Sequence, residues 1–224
     1  MRQTTYYFDQ TFQPFFSSLK ERAIMQKSIA AGEYLVAPGE DIPHVYYIRS
    51  GICRCSALGE DGNEVILFFQ GPGSLFPVKC RQFHFALETS VTLKAITPVT
   101  ALLLTPDAIQ ELVRTCPDFA VAAIDFHVTQ NNMFIARQMV SVQSSVTAKV
   151  ATFLYLYLHS YPTAGNLVLL TQDEVALSLG ISRIQVARAY QRLKQQNLIA
   201  TKRNSVQILD LKQLKALCSQ QIIL

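Results

Sequence analysis

The sequence predicts an α+β fold in three consecutive parts: an N-terminal antiparallel β-roll, a long helix and a C-terminal winged helix-turn-helix. Three observations support it. Short strand-like segments separated by Gly and Pro turns fill residues 28–104. Apolar side chains at heptad spacing follow Pro117, and two capped helices joined at Gly180 precede two further strand-like segments. We therefore expect a β-roll domain over 1–116, a long helix over 117–143 and a winged helix-turn-helix domain over 144–224, with a hinge near 141–145.

The first part has the regular strand spacing that is typical of a small barrel or roll. Cys53 and Cys55 alternate along one strand, so both thiols should point into the core. A short helix should begin at Pro106, because proline suits the first helical turn. The predicted strands are Glu33–Ala37, Val45–Ile48, Ile52–Ala57, Glu64–Phe69, Leu87–Lys94 and Thr100–Leu104.

The long helix carries a seam of side chains three and four residues apart, which is the spacing of a helix that pairs with another. Asn131 and Gln138 are polar members of the seam, and such residues can fix the register of a dimer. A helix that packs only on its own domain is the alternative. Ser145 should cap a new helix that runs to about Leu158. The seam consists of Val121, Ile124, Val128, Asn131, Ile135, Gln138 and Val142.

The segment Leu170–Lys194 predicts a helix-turn-helix. Thr171 can cap the first helix with Glu174 completing a capping box, and Gly180 supplies the left-handed turn. Ser182 then caps the second helix. The side chains expected on its inner face are Val186, Ala189, Tyr190 and Leu193, and those left for the outer side are Arg183, Ile184, Gln185, Arg188 and Arg192.

Charge and the following strands indicate a nucleic-acid partner. Arginine at the start of an exposed helix can make a bidentate contact to guanine in the major groove. Residues 161–224 contain eight Lys and Arg residues against three acids, as phosphate neutralisation requires. Asn197–Leu209 alternates like a two-stranded wing with its turn at Lys202, Arg203 and Asn204. The alternative is a helical hairpin with a solvated basic face.

Composition narrows the class of protein. No apolar run reaches the roughly 18 residues of a membrane span, and the first ten residues lack the apolar core of a signal peptide. We therefore expect a cytoplasmic protein without membrane partners. The five cysteines are odd in number and scattered, so reduced thiols are expected and no zinc knuckle is formed.

The order of these parts resembles the Crp/Fnr family of bacterial transcription regulators over roughly residues 14–217. The resemblance is strongest in Leu170–Ile199 and in the β-roll sequences Val45–Gly51 and Glu60–Val65. It implies a cyclic-nucleotide-binding-like roll that binds an effector. It also implies long helices that dimerise and DNA-binding domains that effector binding repositions.

The resemblance places Arg183, Ile184 and Arg188 at base-reading positions. Many members have glutamate where Ile184 stands, and isoleucine can touch a thymine methyl but cannot accept a hydrogen bond from cytosine. We therefore expect an operator different from the usual half-site. The expected contacts to the DNA backbone are Thr171, Ser182, Gln185, Arg192, Lys202 and Arg203.

The effector site departs further from the family. Pro77-Val78 stands where cyclic-nucleotide members have Gly-Glu, and Thr89-Ser90 where they have Arg-Ser. A cyclic phosphate would therefore lack its bidentate arginine, and Phe134 and Ile135 replace hydroxyls that meet adenine. The sequence therefore predicts that cyclic AMP is not the effector. It also predicts that the protein holds no iron–sulfur cluster, because no cysteine precedes Lys27.

Other effectors stay open. Haem could use Cys80 and His84, and a redox switch could use Cys80, whose neighbours are basic. A small aromatic or weakly acidic molecule is a further candidate, and the aromatic side chains could equally fill the pocket so that nothing binds. The candidate lining is Phe76, Lys79, Arg81, Phe83, Thr89 and Phe134.

The leading hypothesis is a homodimeric transcription regulator that binds a palindromic operator in double-stranded DNA. A second hypothesis is a small-molecule sensor that acts through protein contacts and binds DNA only non-specifically. An enzyme on the β-roll is a third, but no carboxylate pair, nucleophile–base set or metal cluster supports it. The loop Tyr161–Asn166 could contact RNA polymerase.

Overall fold

Contacts divide the chain, in its computed structural model, into two compact units. One unit is Tyr7–Val128, and the other runs from Thr129 onward and includes Tyr6. The boundary falls inside one long helix. The fold is the α+β arrangement that the sequence predicts. The structure describes residues 6–59, 64–80, 91–160, 166–202 and 204–219.

The described residues of the first unit include nine strands, arranged in two sheets. The strands are β1 (Tyr7–Phe8), β2 (Met25–Ile29), β3 (Tyr34–Val36), β4 (Val45–Ser50), β5 (Cys53–Leu58), β6 (Glu64–Gln70), β7 (Ser74–Phe76), β8 (Val91–Ala95) and β9 (Val99–Leu104). One sheet has the order β1-β6-β5-β8-β3, and the other has the order β2-β9-β4-β7. β1 is parallel to β6, while the other described pairings of this unit are antiparallel.

Three edge strands of these sheets, β1, β2 and β7, are missing from the strands predicted from the sequence, whereas the edge strand β3 lies within the predicted strand Glu33–Ala37. β1 and β7 are two and three residues long, too short to show alternation. β2 begins at Met25, before the predicted start of the roll at residue 28. The strand predicted over Leu87–Lys94 is described from Val91 to Ala95, and residues 87–90 lie outside the described stretches.

Aliphatic, aromatic and sulfur-containing side chains fill the interior of the roll unit. Cys53 and Cys55 are both buried, as predicted, and pair in register with Gln70 and Phe68. The rings of Phe8 and Phe126 lie 5.3 Å apart between centroids, in an edge-to-face arrangement that favours aromatic packing. β1 is thereby held against the long helix of its own unit.

The helices of this unit flank the roll. A 3₁₀ turn (Gln13–Phe15) and α1 (Phe16–Glu21) precede β2, and α2 (Pro106–Thr115) follows β9. Pro106 occupies the first turn of α2, and the Thr105 side chain accepts from the Ala108 N–H. The long helix α3 covers Pro117–Gln143.

The second unit has the predicted order of helices and strands. The Ser145 hydroxyl accepts from the Ala148 N–H at 3.2 Å, which confirms it as the cap of the helix after α3. The predicted two-stranded wing gains a third strand, with the order β10-β12-β11. These elements are α4 (Val146–Ser160), β10 (Leu167–Val168), α5 (Gln172–Leu179), α6 (Arg183–Gln195), β11 (Ile199–Lys202), β12 (Ser205–Ile208) and α7 (Leu211–Leu217). Within the described stretches, no helix is long and apolar enough to cross a membrane.

Candidate nucleic-acid interface

A capping box fixes the start of α5. The Thr171 hydroxyl accepts from the Glu174 N–H at 3.1 Å, and the Glu174 carboxylate accepts from the Thr171 N–H at 2.8 Å. The backbone N–H groups of Thr171 and Glu174 therefore both have acceptors within the same helical turn, without tertiary contacts. The carboxylate also accepts from the Thr171 hydroxyl at 2.9 Å, so this hydroxyl must redirect its proton before it can donate to a phosphate.

A tight turn and a second capping box set the start of α6. Gly180 has φ +62°, a left-handed conformation that glycine adopts without strain. The Ser182 hydroxyl accepts from the Gln185 N–H at 3.2 Å, and the Gln185 side-chain oxygen accepts from the Ser182 N–H at 2.9 Å. The turn predicted at Gly180 and the cap predicted at Ser182 are confirmed.

The inner face of α6 is buried. Val186, Ala189, Tyr190 and Leu193 are all buried, as the helical spacing predicts. Burial raises the pKa of the Tyr190 hydroxyl. That hydroxyl has no hydrogen-bond partner among the residues that the structure describes. The packed face fixes which side of α6 is turned outward.

The outer side of α6 presents the three predicted base-reading residues. Arg183, Ile184 and Arg188 are all exposed, and Ile184 has 64% of its surface accessible. Two guanidinium groups and one apolar side chain thus project from the first turns of a capped helix. Such a set can pair with guanine edges and contact a thymine methyl group.

The predicted backbone contacts lie on several elements. Arg192 donates to the Thr147 hydroxyl at 3.4 Å, which places it beside the start of α4. Gln185 uses its side-chain oxygen in the capping box, so its amide N–H groups are the donors left for a phosphate. Lys202 is exposed at the end of β11, and Arg203 lies outside the described residues.

An ion pair that the sequence analysis missed joins the two helices. The Arg183 Nε lies 3.6 Å from the Asp173 Oδ1. Both side chains face a cleft of about 230 Å³ between the starts of α5 and α6 and the wing strands, which Thr171 and Lys202 also line. The two partners are ten positions apart, so no local pattern pairs them, and only the geometry of the turn brings them together.

A half-buried arginine connects α3 to the helix-turn-helix. The Arg137 Nη2 donates to the Ser178 backbone carbonyl at 2.7 Å, and its guanidinium lies 5.6 Å from the centre of the Tyr6 ring. Burial lowers the pKa of Arg137 and raises that of Tyr6 to about 12. An arginine keeps its charge even so, because its pKa starts far above neutrality.

The seam residues predicted on α3 form an exposed stripe. Val121, Ile124, Val128 and Ile135 have 56%, 62%, 52% and 52% of their surface accessible, and Asn131 and Gln138 are exposed too. The opposite side of the helix carries buried Phe119, Phe126 and Met133. Packing inside each unit therefore buries one face of α3 and leaves the seam face of α3 exposed to solvent. The Val142 side chain lies outside what is described.

The predicted effector residues are described only in part. Phe76 is buried in β7, and the buried Lys79 ammonium donates to the Ile42 carbonyl at 2.6 Å. An acidic ligand would therefore compete with a backbone acceptor for Lys79. Phe134 lies on α3 with 40% of its surface accessible. Among the remaining predictions, Arg81, Phe83, His84, Thr89 and most of the loop 161–166 lie outside the described residues.

The five cysteines fall into two groups by the exposure of their side chains. Cys53, Cys55 and Cys218 are buried, while Cys80 and Cys116 are half-buried. Burial raises the pKa of Cys53 and of Cys218 to about 12. In the described part of the chain, no three His, Cys, Asp or Glu side chains come together as a metal site.

Comparison with known proteins defines the class. Residues 26–116 match the family model described as "Cyclic nucleotide-binding domain", and residues 148–217 match "Crp-like helix-turn-helix domain". This pair of domains, in this order on one chain, defines a transcription regulator with a DNA-binding helix-turn-helix. The chain belongs to the Crp/Fnr family.

Relatives agree with this assignment. The transcriptional activator protein Anr of Pseudomonas protegens is 25% identical over 88% of this chain and 81% of its own length. The cAMP-activated global transcriptional regulator CRP of Pasteurella multocida is 26% identical over 88% of this chain and 94% of its own length. The structure of FixK2 from Bradyrhizobium japonicum shares the fold, with a TM-score of 0.73, 18% identity, and coverage of 87% of this chain and 97% of that chain.

Proposed function

We propose that this protein is a homodimeric, sequence-specific DNA-binding regulator whose α6 reads bases in the major groove. The observation that carries the proposal is the exposed triplet of Arg183, Ile184 and Arg188 on a helix whose other face is buried. One capping box holds the start of this helix in place, and a second holds the start of α5. Docking a rigid helix costs little ordering entropy, which leaves its contacts available for discrimination between sequences.

The exposed seam on α3 supports the proposed dimer. Four of its apolar members, Val121, Ile124, Val128 and Ile135, leave most of their surface in water in the single chain, which is unfavourable for side chains of this size. Pairing the seam with that of a second copy would bury them around Asn131 and Gln138. A two-fold dimer then presents two copies of α6, so we expect a palindromic operator with half-sites about one helical turn apart. Such a protein acts in the cytoplasm, beside the chromosome.

The test compares two substitutions that each remove one positive charge. Arg188→Ala should abolish preference for the operator over a scrambled duplex, because Arg188 reads a base. Lys212→Ala, on the exposed side of α7, should keep that preference. Footprinting titrations at several salt concentrations separate loss of sequence reading from loss of phosphate attraction.

The possible results of this test distinguish a sequence-reading regulator from a sensor that acts through protein contacts. Unchanged preference in Arg188→Ala, with a folded dimer, would contradict the assignment of α6 as the reading helix. A wild-type protein that binds all duplexes equally would instead favour a sensor acting through protein contacts.

We also propose that cyclic AMP is not the effector, although the Pasteurella multocida relative is named as cAMP-activated. The support is the sequence: Pro77-Val78 and Thr89-Ser90 replace the acidic and arginine pairs of cyclic-nucleotide members. A phosphodiester without a guanidinium partner loses its strongest charge-assisted hydrogen bonds. Cyclic AMP at millimolar concentration should therefore not raise the melting temperature of the protein, and a clear rise would overturn this part of the proposal.

A further inference from the structure

We infer that Asp173 is a positioning residue for base reading: its carboxylate orients the Arg183 guanidinium toward a guanine. This inference rests on the proposed function. The geometric basis is the ion pair of 3.6 Å between the Arg183 Nε and the Asp173 Oδ1. The carboxylate approaches the guanidinium from its Nε side. The two terminal nitrogens, which form the edge suited to guanine O6 and N7, therefore stay available.

Both residues are held by fixed backbone. Arg183 is the first residue of α6, directly after the Ser182 cap, and Asp173 lies in the first turn of α5, inside the Thr171 capping box. The separation of the two side chains is therefore set by two capped helix starts and the Gly180 turn. A long arginine side chain loses much rotamer entropy when it docks, and a fixed partner reduces that loss.

The ion pair is weak in the free protein. The Arg183 and Asp173 side chains keep 68% and 65% of their surface exposed, and exposed pairs of this kind contribute little to stability. The pair strengthens when a duplex displaces water from the cleft, because the local dielectric constant falls. Asp173 also brings a negative charge close to the DNA phosphates, so it lowers affinity for duplexes of any sequence. We therefore expect Asp173 to increase the preference for the operator and to lower the affinity for duplexes of other sequences.

The experiment measures base preference one position at a time. Asp173→Asn keeps the shape of the side chain and removes its charge. We expect preference for guanine at the base pair read by Arg183 to fall about threefold or more, as for coupled contacting residues. Preference at the other positions should stay unchanged, and affinity for a scrambled duplex should rise.

The control is Asp210→Asn, which removes one negative charge from the same unit. Asp210 caps α7 by accepting from the Gln213 N–H at 2.8 Å, and asparagine caps a helix equally well. This variant should leave every base preference unchanged. Repeating Asp173→Asn in an Arg183→Ala background should give no further loss of preference, because the residue to be oriented is gone.

The outcomes separate the two proposals. If the wild-type protein selects an operator and Asp173→Asn keeps or sharpens guanine preference, the positioning role is wrong and the reading helix stands. An equal loss in the Arg183→Ala background also overturns it, since Asp173 would then act without Arg183. If the wild-type protein selects no sequence at all, the proposed function fails, and the positioning role fails with it.

Discussion

The Arg137 guanidinium donates a 2.7 Å hydrogen bond to the backbone carbonyl of Ser178. Arg137 lies on α3 before the Ser144–Ser145 break, and Ser178 lies in the last turn of α5. A half-buried cation thus ties the long helix to the first helix of the helix-turn-helix within one compact unit. The last carbonyl groups of a helix lack intrahelical partners, and a positive charge there also complements the helix dipole.

Replacing Arg137 with methionine should destabilise this unit. The substitution keeps an unbranched apolar side chain but leaves the Ser178 carbonyl without this donor, which costs about 1–3 kcal/mol. Chemical denaturation followed by circular dichroism measures the change. Arg192→Met is the control, because its bond to Thr147 is longer and exposed, and it should cost at most about 0.5 kcal/mol. Equal losses in the two variants would contradict the role given to Arg137.

The capping boxes should contribute to stability independently of DNA. Thr171→Ala removes the acceptor for the Glu174 N–H and should lower the free energy of unfolding by about 1 kcal/mol. Thr171→Ser retains the hydroxyl and should lose much less. An alanine variant as stable as the serine variant would show that the cap does not hold α5.

The seam on α3 should control the oligomeric state. Ile124→Glu places a charge in the middle of the exposed apolar stripe, so it should convert a dimer to a monomer in sedimentation equilibrium. Lys212→Glu introduces the same side chain on α7 and should leave the dimer intact. A dimer of unchanged dissociation constant in Ile124→Glu would mean that α3 does not form the interface.

Thiol reactivity should follow burial. Near pH 8 and in native conditions, alkylation should reach Cys80 and Cys116 first, because the buried thiols Cys53 and Cys218 have pKa values raised to about 12. Cys53 and Cys218 should react only after unfolding. Mass spectrometry of peptides labelled over time checks the order. Simultaneous labelling of all of these thiols would contradict the buried placement.

The same pKa shifts predict the direction of alkaline denaturation. A thiol whose pKa rises on folding retains its proton better in the native state, so its stabilising contribution is complete below the unfolded pKa of about 8.5. That contribution is lost as the pH rises from there toward about 12. Unfolding free energy measured from pH 8 to 11 should therefore fall with pH, and Cys53→Ala should flatten the slope.

Local patterns predicted the helix-turn-helix well. The caps at Thr171 and Ser182, the turn at Gly180 and the inner face of α6 each depend on residues within four positions of one another. Such interactions are visible in a sequence because helix spacing alone determines which residues meet.

Contacts between distant residues could not be predicted in the same way. Arg137 and Ser178 are 41 positions apart, and Tyr7 of β1 pairs with Phe69 of β6, 62 positions further along the chain. A two-residue strand is too short to show the alternation of polar and apolar residues that predicts a strand. An arginine on an amphipathic helix is predicted to lie on the surface. Asp173 likewise resembles an ordinary first-turn acid until the turn places it beside Arg183.

The central claim is that the exposed side of α6 reads an operator as part of a dimer. The most direct test is selection of genome fragments by purified wild-type protein and by Arg188→Ala, without added effector and over a range of salt concentrations. We predict that the wild-type protein enriches a palindromic site and that the variant enriches none. Weak, salt-sensitive binding of all fragments by both proteins would contradict the claim.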